Sequence, residues 1–280
     1  MNTRDKGLEN AVANNQTNDL TAAVIPDVQS SVDTRHIAIQ SVGIRSVKYP
    51  VLIELQGQKP LPSVAEFEMT VYLPAEQKGT HMSRFIALLE ESQGKVLTVA
   101  GFRAMLAEML QRLDAPSGRI KMQLPYFLSK VAPISGVASL MDYQLTLEGA
   151  ATAEGQDIYL TAVVPVTSLC PCSKKISEYG AHNQRSHVTA RVQLKEDLDI
   201  AQFISAIEQQ ASCELYGLLK RPDEKYVTER AYDNPKFVED LVRDVAIAMN
   251  KFKQVGHYTV EAENFESIHN HSAYARIDRV

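Results

Sequence analysis

Thr98-Val-Ala-Gly-Phe-Arg-Ala-Met-Leu-Ala-Glu-Met-Leu-Gln-Arg-Leu113 is the stretch on which the fold turns. Phe102, Met105, Leu106, Met109, Leu110 and Leu113 recur at helical spacing and share one face, while Thr98 is placed to cap the first turn. A shorter helix precedes it, with Ser83 as the expected N-cap and Glu91 near its end. Upstream the period falls to two. Apolar and β-branched residues alternate with polar ones from Ile37 to Leu55 and from Glu66 to Leu73, with Gly57, Pro60 and Pro62 punctuating the gap. Downstream, past Pro116-Ser117-Gly118, Ile120 to Val131 and Val137 to Glu148 are again strand-like and are joined by a turn from Pro133 to Gly136. The first half therefore has the order β-β-α-α-β-β.

The second half repeats that order less cleanly. Ile158 to Val166 and Val188 to Leu194 have strand character, Ala201 to Leu215 and Phe237 to Phe252 have helical character, and His257 to Glu263 is a following strand. Val238, Leu241, Val242, Val245 and Met249 mark the buried face of the later helix. Two such units predict an α+β fold with antiparallel sheets and helices on one face. The expected division is a flexible tail over 1–33, rich in Asn, Gln, Asp and Thr, then modules over 34–152 and 153–280.

Composition narrows the function classes. The 280-residue chain has 45% apolar residues and no tryptophan, enough for one large core or two modest ones. The polar N-terminus and the absence of a long apolar run predict a cytoplasmic protein with no membrane partner. A net charge of −5 argues against a nucleic-acid partner. Basic residues nonetheless gather locally, at Lys174, Lys175, Arg185, Lys220, Arg221, Lys225 and Arg230, which reads either as a place for an anionic small molecule or as an ordinary solvated surface.

Two of the three cysteines lie in Cys170-Pro-Cys172-Ser-Lys-Lys-Ile-Ser-Glu-Tyr-Gly-Ala-His182-Asn-Gln-Arg-Ser-His187. Such a crowded, odd set suits a metal or reactive site better than a disulfide framework. The segment sits in a connection, Thr167 to Ser186, too long for a simple hairpin. Thiolate and imidazole together are first-row metal ligands, and the spacing matches no closed zinc finger, so an open site with three protein ligands and a water is the better expectation. Idle loop cysteines are the plain alternative. At the C-terminal end, His269-Asn-His271 places both imidazoles on one face if the segment is a strand, as ligands, proton shuttles or phosphate contacts, or simply as exposed histidines on an edge. Glu224 lies in a polar stretch between helices. Glu239 falls in the first turn of a helix, where a carboxylate either favours the helix dipole or accepts two hydrogen bonds from a guanine edge. Lys78-Gly-Thr-His81-Met-Ser-Arg84 links strand to helix and offers an anion contact, or simply a capped helix start.

Taken together, Cys170-Pro-Cys172-Ser-Lys and Tyr179-Gly-Ala-His182-Asn-Gln-Arg-Ser-His187 resemble the signature of the prokaryotic type IB GTP cyclohydrolases. Gly79-Thr-His81-Met-Ser-Arg-Phe85, Asn234-Pro-Lys-Phe-Val-Glu239-Asp240 and Ser267-Ile-His269-Asn-His271 resemble that family as well, so the likeness runs from about His36 to the end. It implies a tunnelling fold of two β-β-α-α-β-β modules, a homotetramer with active sites at interfaces, and hydrolysis of GTP to 7,8-dihydroneopterin triphosphate and formate. It implies metal ligands Cys170, His182 and Glu224, a guanine anchor Glu239, and catalytic-region residues Cys170, His269 and His271. Whether Cys170 or Cys172 binds the metal stays open, as does the ion, with zinc, manganese and iron all compatible with a mixed shell. Lys174, Arg185 and Arg84 are assigned to the triphosphate from charge alone. The competing readings are a nitrile reductase of the same fold with a cysteine nucleophile, and a non-catalytic metal-storing module.

Overall fold

The structure is a computed structural model that describes residues 27–54 and 59–279. Its centre is one antiparallel sheet of nine strands. In chain order the elements are β1 (Ile39–Ile53), β2 (Leu61–Leu73), α1 (Met82–Ser92), α2 (Val99–Leu113), β3 (Gly118–Val131), β4 (Ala138–Thr152), β5 (Gly155–Leu169), α3 (Pro171–Ile176), β6 (Asn183–Leu194), α4 (Ile200–Glu208), β7 (Cys213–Glu214), α5 (Arg221–Asp233), α6 (Val238–Met249), β8 (Val255–Asn264) and β9 (Ala273–Arg279). Strands β1 to β6 are neighbours in sequence order, β8 and β9 follow β6, and β7 pairs with β5 off this path. The expected β-β-α-α-β-β order is present twice, with α3, β7 and α5 added to the second copy.

Alternation explains why one face of the sheet is buried. Phe67, Met122 and Leu147 are paired rung by rung, as are Leu160, Val192 and Tyr258 and then Val164, Val188 and Ala262. All are buried, and they form one core cluster with Phe102, Leu106 and Met109 of α2, Phe203 and Ile207 of α4, and Leu241 and Val245 of α6. Close packing of α2 on the sheet depends on Gly149, since a Cβ there would come within 2.9 Å of Leu106 and Phe102 side-chain atoms.

Several boundaries differ from expectation. The first helix begins after His81 rather than Ser83, and His81 makes no side-chain cap. Thr98 does cap α2, accepting from Gly101 N–H. The helix expected over Ala201 to Leu215 ends at Glu208, because Cys213 and Glu214 pair with Thr167 and Val166 instead. β2 starts at Leu61 and the first strand spans Ile39–Ile53; the expected end of that strand at Leu55 lies outside the described residues. The connection between β5 and β6 is shorter than expected, since Thr167, Ser168 and Leu169 pair with Arg185, Gln184 and Asn183. Of the stretch expected as a tail, 1–26 lies outside the described residues. Residues 27–33 run beside 76–80, with Asp33 N–H donating to the Glu76 carbonyl and Gln29 donating to the Thr80 carbonyl.

Candidate active site

Strand direction gathers the candidate residues. The ends of β3, β5 and β8 and the starts of β4, β6 and β9 meet at one end of the sheet. Cys170 and His182 bound the β5–β6 connection there. Cys170 is the N-cap of α3, and its Sγ accepts from Ser173 N–H at 3.5 Å. Cys170 N–H donates to the His182 carbonyl at 3.1 Å, and His182 N–H donates to Ser173 Oγ at 3.2 Å. Backbone bonds thus clamp the thiol and the imidazole into one loop. Cys172, one residue into the helix, is exposed.

The chain after β7 is stitched to this loop. Leu169 N–H donates to Ser212 Oγ at 3.1 Å, Lys236 N–H donates to the Leu169 carbonyl at 3.1 Å, and Asn234 donates to the Ala211 carbonyl at 2.9 Å. These bonds hold the entry of α6, and with it Glu239 in its first turn, next to the end of β5. Glu224 is not in an irregular stretch but in the first turn of α5. That turn is tied to the β3–β4 connection by Asp223, which accepts from Ile134 N–H, Ser135 N–H and Lys220 N–H, each at 2.8 Å. Burial opposes ionisation of Asp223, but Ser135 and the surrounding backbone N–H groups outweigh it and hold the carboxyl well below the usual range. The other end of α5 is held by Lys174, whose ammonium donates to the Tyr232 carbonyl and lies 4.2 Å from the Tyr232 ring centroid.

His269 and His271 lie in the β8–β9 connection and not on a strand, because pairing stops at Asn264 and Ala273. The loop still brings them together: the rings stack with centroids 5.1 Å apart and an interplanar angle of 14°. Arg185 is exposed on β6. Arg84 is elsewhere. It donates to the Arg112 carbonyl at 2.8 Å, near the start of β3 at the opposite end of the sheet, so within one chain it does not approach Cys170.

His182 has a well-defined second set of contacts. Its Nδ1 lies 3.0 Å from Gln184 Oε1, 3.5 Å from Ser267 Oγ and 3.9 Å from Glu266 Oε2. Cys213 is a different kind of cysteine. Burial, reinforced by the charge of Glu214, pushes its thiol up to about 11, so it remains a protonated core group. Among the described residues, no three His, Cys, Asp or Glu side chains already form a group that could hold a metal ion. Cys170 and His182 are clamped in one loop, and Glu224 stands on a separate helix, α5. As a donor set, one thiolate, one imidazole and one carboxylate fit a first-row divalent ion with an open position.

A family model described as type I GTP cyclohydrolase folE2 matches residues 25–275. GTP cyclohydrolase FolE2 2 of Cupriavidus metallidurans is 60% identical over 262 residues, covering 93% of this chain and 97% of its own length. GTP cyclohydrolase FolE2 of Burkholderia ambifaria is 60% identical over 258 residues, covering 92% and 96%. The chain belongs to the FolE2 family of type I GTP cyclohydrolases. Uricase from Arthrobacter globiformis aligns over 86% of this chain and 93% of its own, with 9% identity and a TM-score of 0.47.

For this FolE2 chain, sequence reading had not singled out Gln184, Ser168, Ser186, Glu266 or Ser267 as site residues. One signal was available for Gln184 and Ser186: they occupy the inward positions of β6, in line with Val188, Ala190 and Val192. No described helix is long and apolar enough to cross a membrane.

Proposed function

We propose that this FolE2 chain hydrolyses GTP, taking up one water overall and releasing formate and 7,8-dihydroneopterin triphosphate as an entry step to tetrahydrofolate. The observation that carries the reading is identity of about 60% to FolE2 proteins over nearly the whole chain, and the clustering of thiol, imidazoles and carboxylates at one end of the sheet supports it.

In this reading Cys170, His182 and Glu224 hold a divalent ion, zinc, manganese or iron. Cys170 and His182 would supply two donors from one clamped loop, and Glu224 would supply the third from the first turn of α5. A metal held there would lower the pKa of a water toward roughly 7 and so provide a nucleophile for C8 of guanine at neutral pH. Glu239 accepts from the ring N–H and exocyclic amine of the base, a bidentate contact that selects guanine and sets C8 toward the clamp. Cys170 and the stacked His269 and His271 border the reacting carbon, and an imidazole is suited to deliver a proton to a purine nitrogen as the ring opens. Arg185 and Lys174 face the triphosphate. Lys174 must then exchange its Tyr232 contacts for phosphate, whereas Arg84 reaches a triphosphate only at a neighbouring subunit's site. The accompanying assembly is a cytoplasmic homotetramer of chains built from modules 34–152 and 153–280 with a tail over 1–33.

The test is formate release and neopterin fluorescence from GTP with zinc, manganese or iron(II), for wild type, Cys170→Ala and Cys172→Ala. Turnover in wild type and a loss of at least about 100-fold in Cys170→Ala are expected, on the scale of a lost catalytic group. Absence of product with every metal refutes the activity. Loss confined to Cys172→Ala transfers the ligand role to Cys172.

A further inference from the structure

We propose that Gln184 is a positioning residue: it fixes the His182 imidazole in the tautomer with hydrogen on Nδ1 and leaves Nε2 as the lone-pair nitrogen. The use of Nε2 as a metal ligand rests on the function proposed above; the orientation of the ring does not.

Gln184 is an amide where the sheet expects an aliphatic side chain. It occupies the buried row of β6 and is only 8% exposed. Its Oε1 lies 3.0 Å from His182 Nδ1, while its Nε2 donates to Ser168 Oγ at 2.8 Å. Ser168, directly across on β5, is joined to Ser186 through a hydroxyl contact of 2.8 Å. Both serines are buried. The three side chains form a brace running from the core to the imidazole, in which each buried polar group depends on the next.

The amide alone does not select the tautomer, since a carboxamide turned over would offer a donor to Nδ1 and an acceptor to the Ser168 hydroxyl. The charge of Glu266 decides which way round the pair sits: at 3.9 Å it is too far to hold the proton itself but disfavours a lone pair on Nδ1, so Gln184 presents Oε1 and supplies the hydrogen bond that holds the N–H there. A neutral imidazole has only one N–H to give. A second contact of this kind, from carboxylate or carbonyl to the remote nitrogen, is the usual means of aiming a histidine at a metal.

The experiment uses the full-length chain with [15N]histidine, stripped of metal by chelator, and compares wild type, Gln184→Leu and Gln184→Glu. The His182 signals are assigned by their loss in His182→Ala. At a pH where the ring is neutral, wild type is expected to show the Nδ1–H form. Q184L is expected to show mixed tautomers, and Q184E, whose carboxylate still accepts from Nδ1–H, to retain the wild-type form. Cobalt(II) affinity, measured by chelator competition, is expected to fall about 10–100-fold in Q184L and to be restored in Q184E. Retention of the Nδ1–H form in Q184L overturns the proposal, and so does an Nε2–H form in Q184E, which keeps the test decisive if Q184L does not fold. Failure of the metal reading has a separate signature: His182→Ala then binds cobalt as tightly as wild type, while the tautomer measurement still decides the role of Gln184.

Discussion

His187 sits at the edge of the site, half-buried, with its ring edge-on to Phe265 at a centroid distance of 4.9 Å. Burial lowers its proton affinity and the charge of Arg185 lowers it further, against a weaker opposing effect from Glu263. Its folded pKa thus lies below the ordinary value of about 6.5. As pH falls, the unfolded chain takes up this proton first, so stability drops through about pH 6.5 and levels off below the folded pKa. An NMR titration of the ring should give a midpoint under 6.5, and His187→Phe should remove this part of the acid-side loss; a midpoint at or above 6.5 contradicts the account. The residues of this region were unequally legible in the sequence. Cys170, Cys172, His182 and His187 stand out because thiols and imidazoles are rare and here they crowd. Gln184 and Ser186 become conspicuous only when the parity of β6 is known, since an amide or hydroxyl is unremarkable until its neighbours are shown to face inward. Glu266 and Ser267 were visible only as neighbours of the His269-Asn-His271 motif, because their contact with His182 depends on β8 pairing beside β6 and ending there.

At the scale of elements, long amphipathic helices were readable and short or polar ones were not. α2 and α6 bury broad apolar faces, so periodicity located both. α5 has Asp223 and Ala231 as its buried residues and is held by its ends instead, by Asp223 at one and Tyr232 at the other. Its apolar signal was correspondingly absent, which is why Glu224 was placed in irregular chain. The same tertiary override stops α4 early: Cys213 and Glu214 gain backbone partners on β5 that a continuing helix could not offer. The chain then crosses the start of β4 at Gly217, where a Cβ would lie 2.5 Å from the Leu140 carbonyl oxygen. A carbonyl in a paired strand cannot move aside as a flexible side chain can. Gly217→Ala should therefore cost about 1–3 kcal/mol in denaturant unfolding, and it should lower turnover more than Gly149→Ala, because the displaced segment leads directly to Glu224. Equal activity losses in the two variants, after correction for folded fraction, would argue that the segment does not position α5.

For the whole molecule, the continuous sheet and the single core cluster explain why the two structural repeats form one body. The repeated order was visible in the sequence, but the links between its copies were not, since they join side chains distant in the chain. One polar link is buried. Glu208, at the end of α4, accepts from Lys130 of β3 and from Tyr143 of β4, each at 2.8 Å, and is 5% exposed. Burial raises the Glu208 pKa, against the stabilising charge of Lys130 and the hydrogen bonds from Lys130 and Tyr143, so the carboxylate depends on those partners. Glu208→Ala removes it and strands a nearly buried ammonium and a buried phenol. The expected loss is about 3–5 kcal/mol, seen as a lower midpoint of one unfolding transition. The double variant Lys130→Met with Glu208→Leu removes both charges and should recover much of that loss, because a buried ion pair replaced by apolar groups of similar volume is often neutral. Two separate transitions in Glu208→Ala would show that the sheet alone does not couple the copies and that this pair does. A single transition, restored in the double variant, assigns the coupling to the shared core and leaves the pair the narrower task of fixing how α4 docks across the boundary.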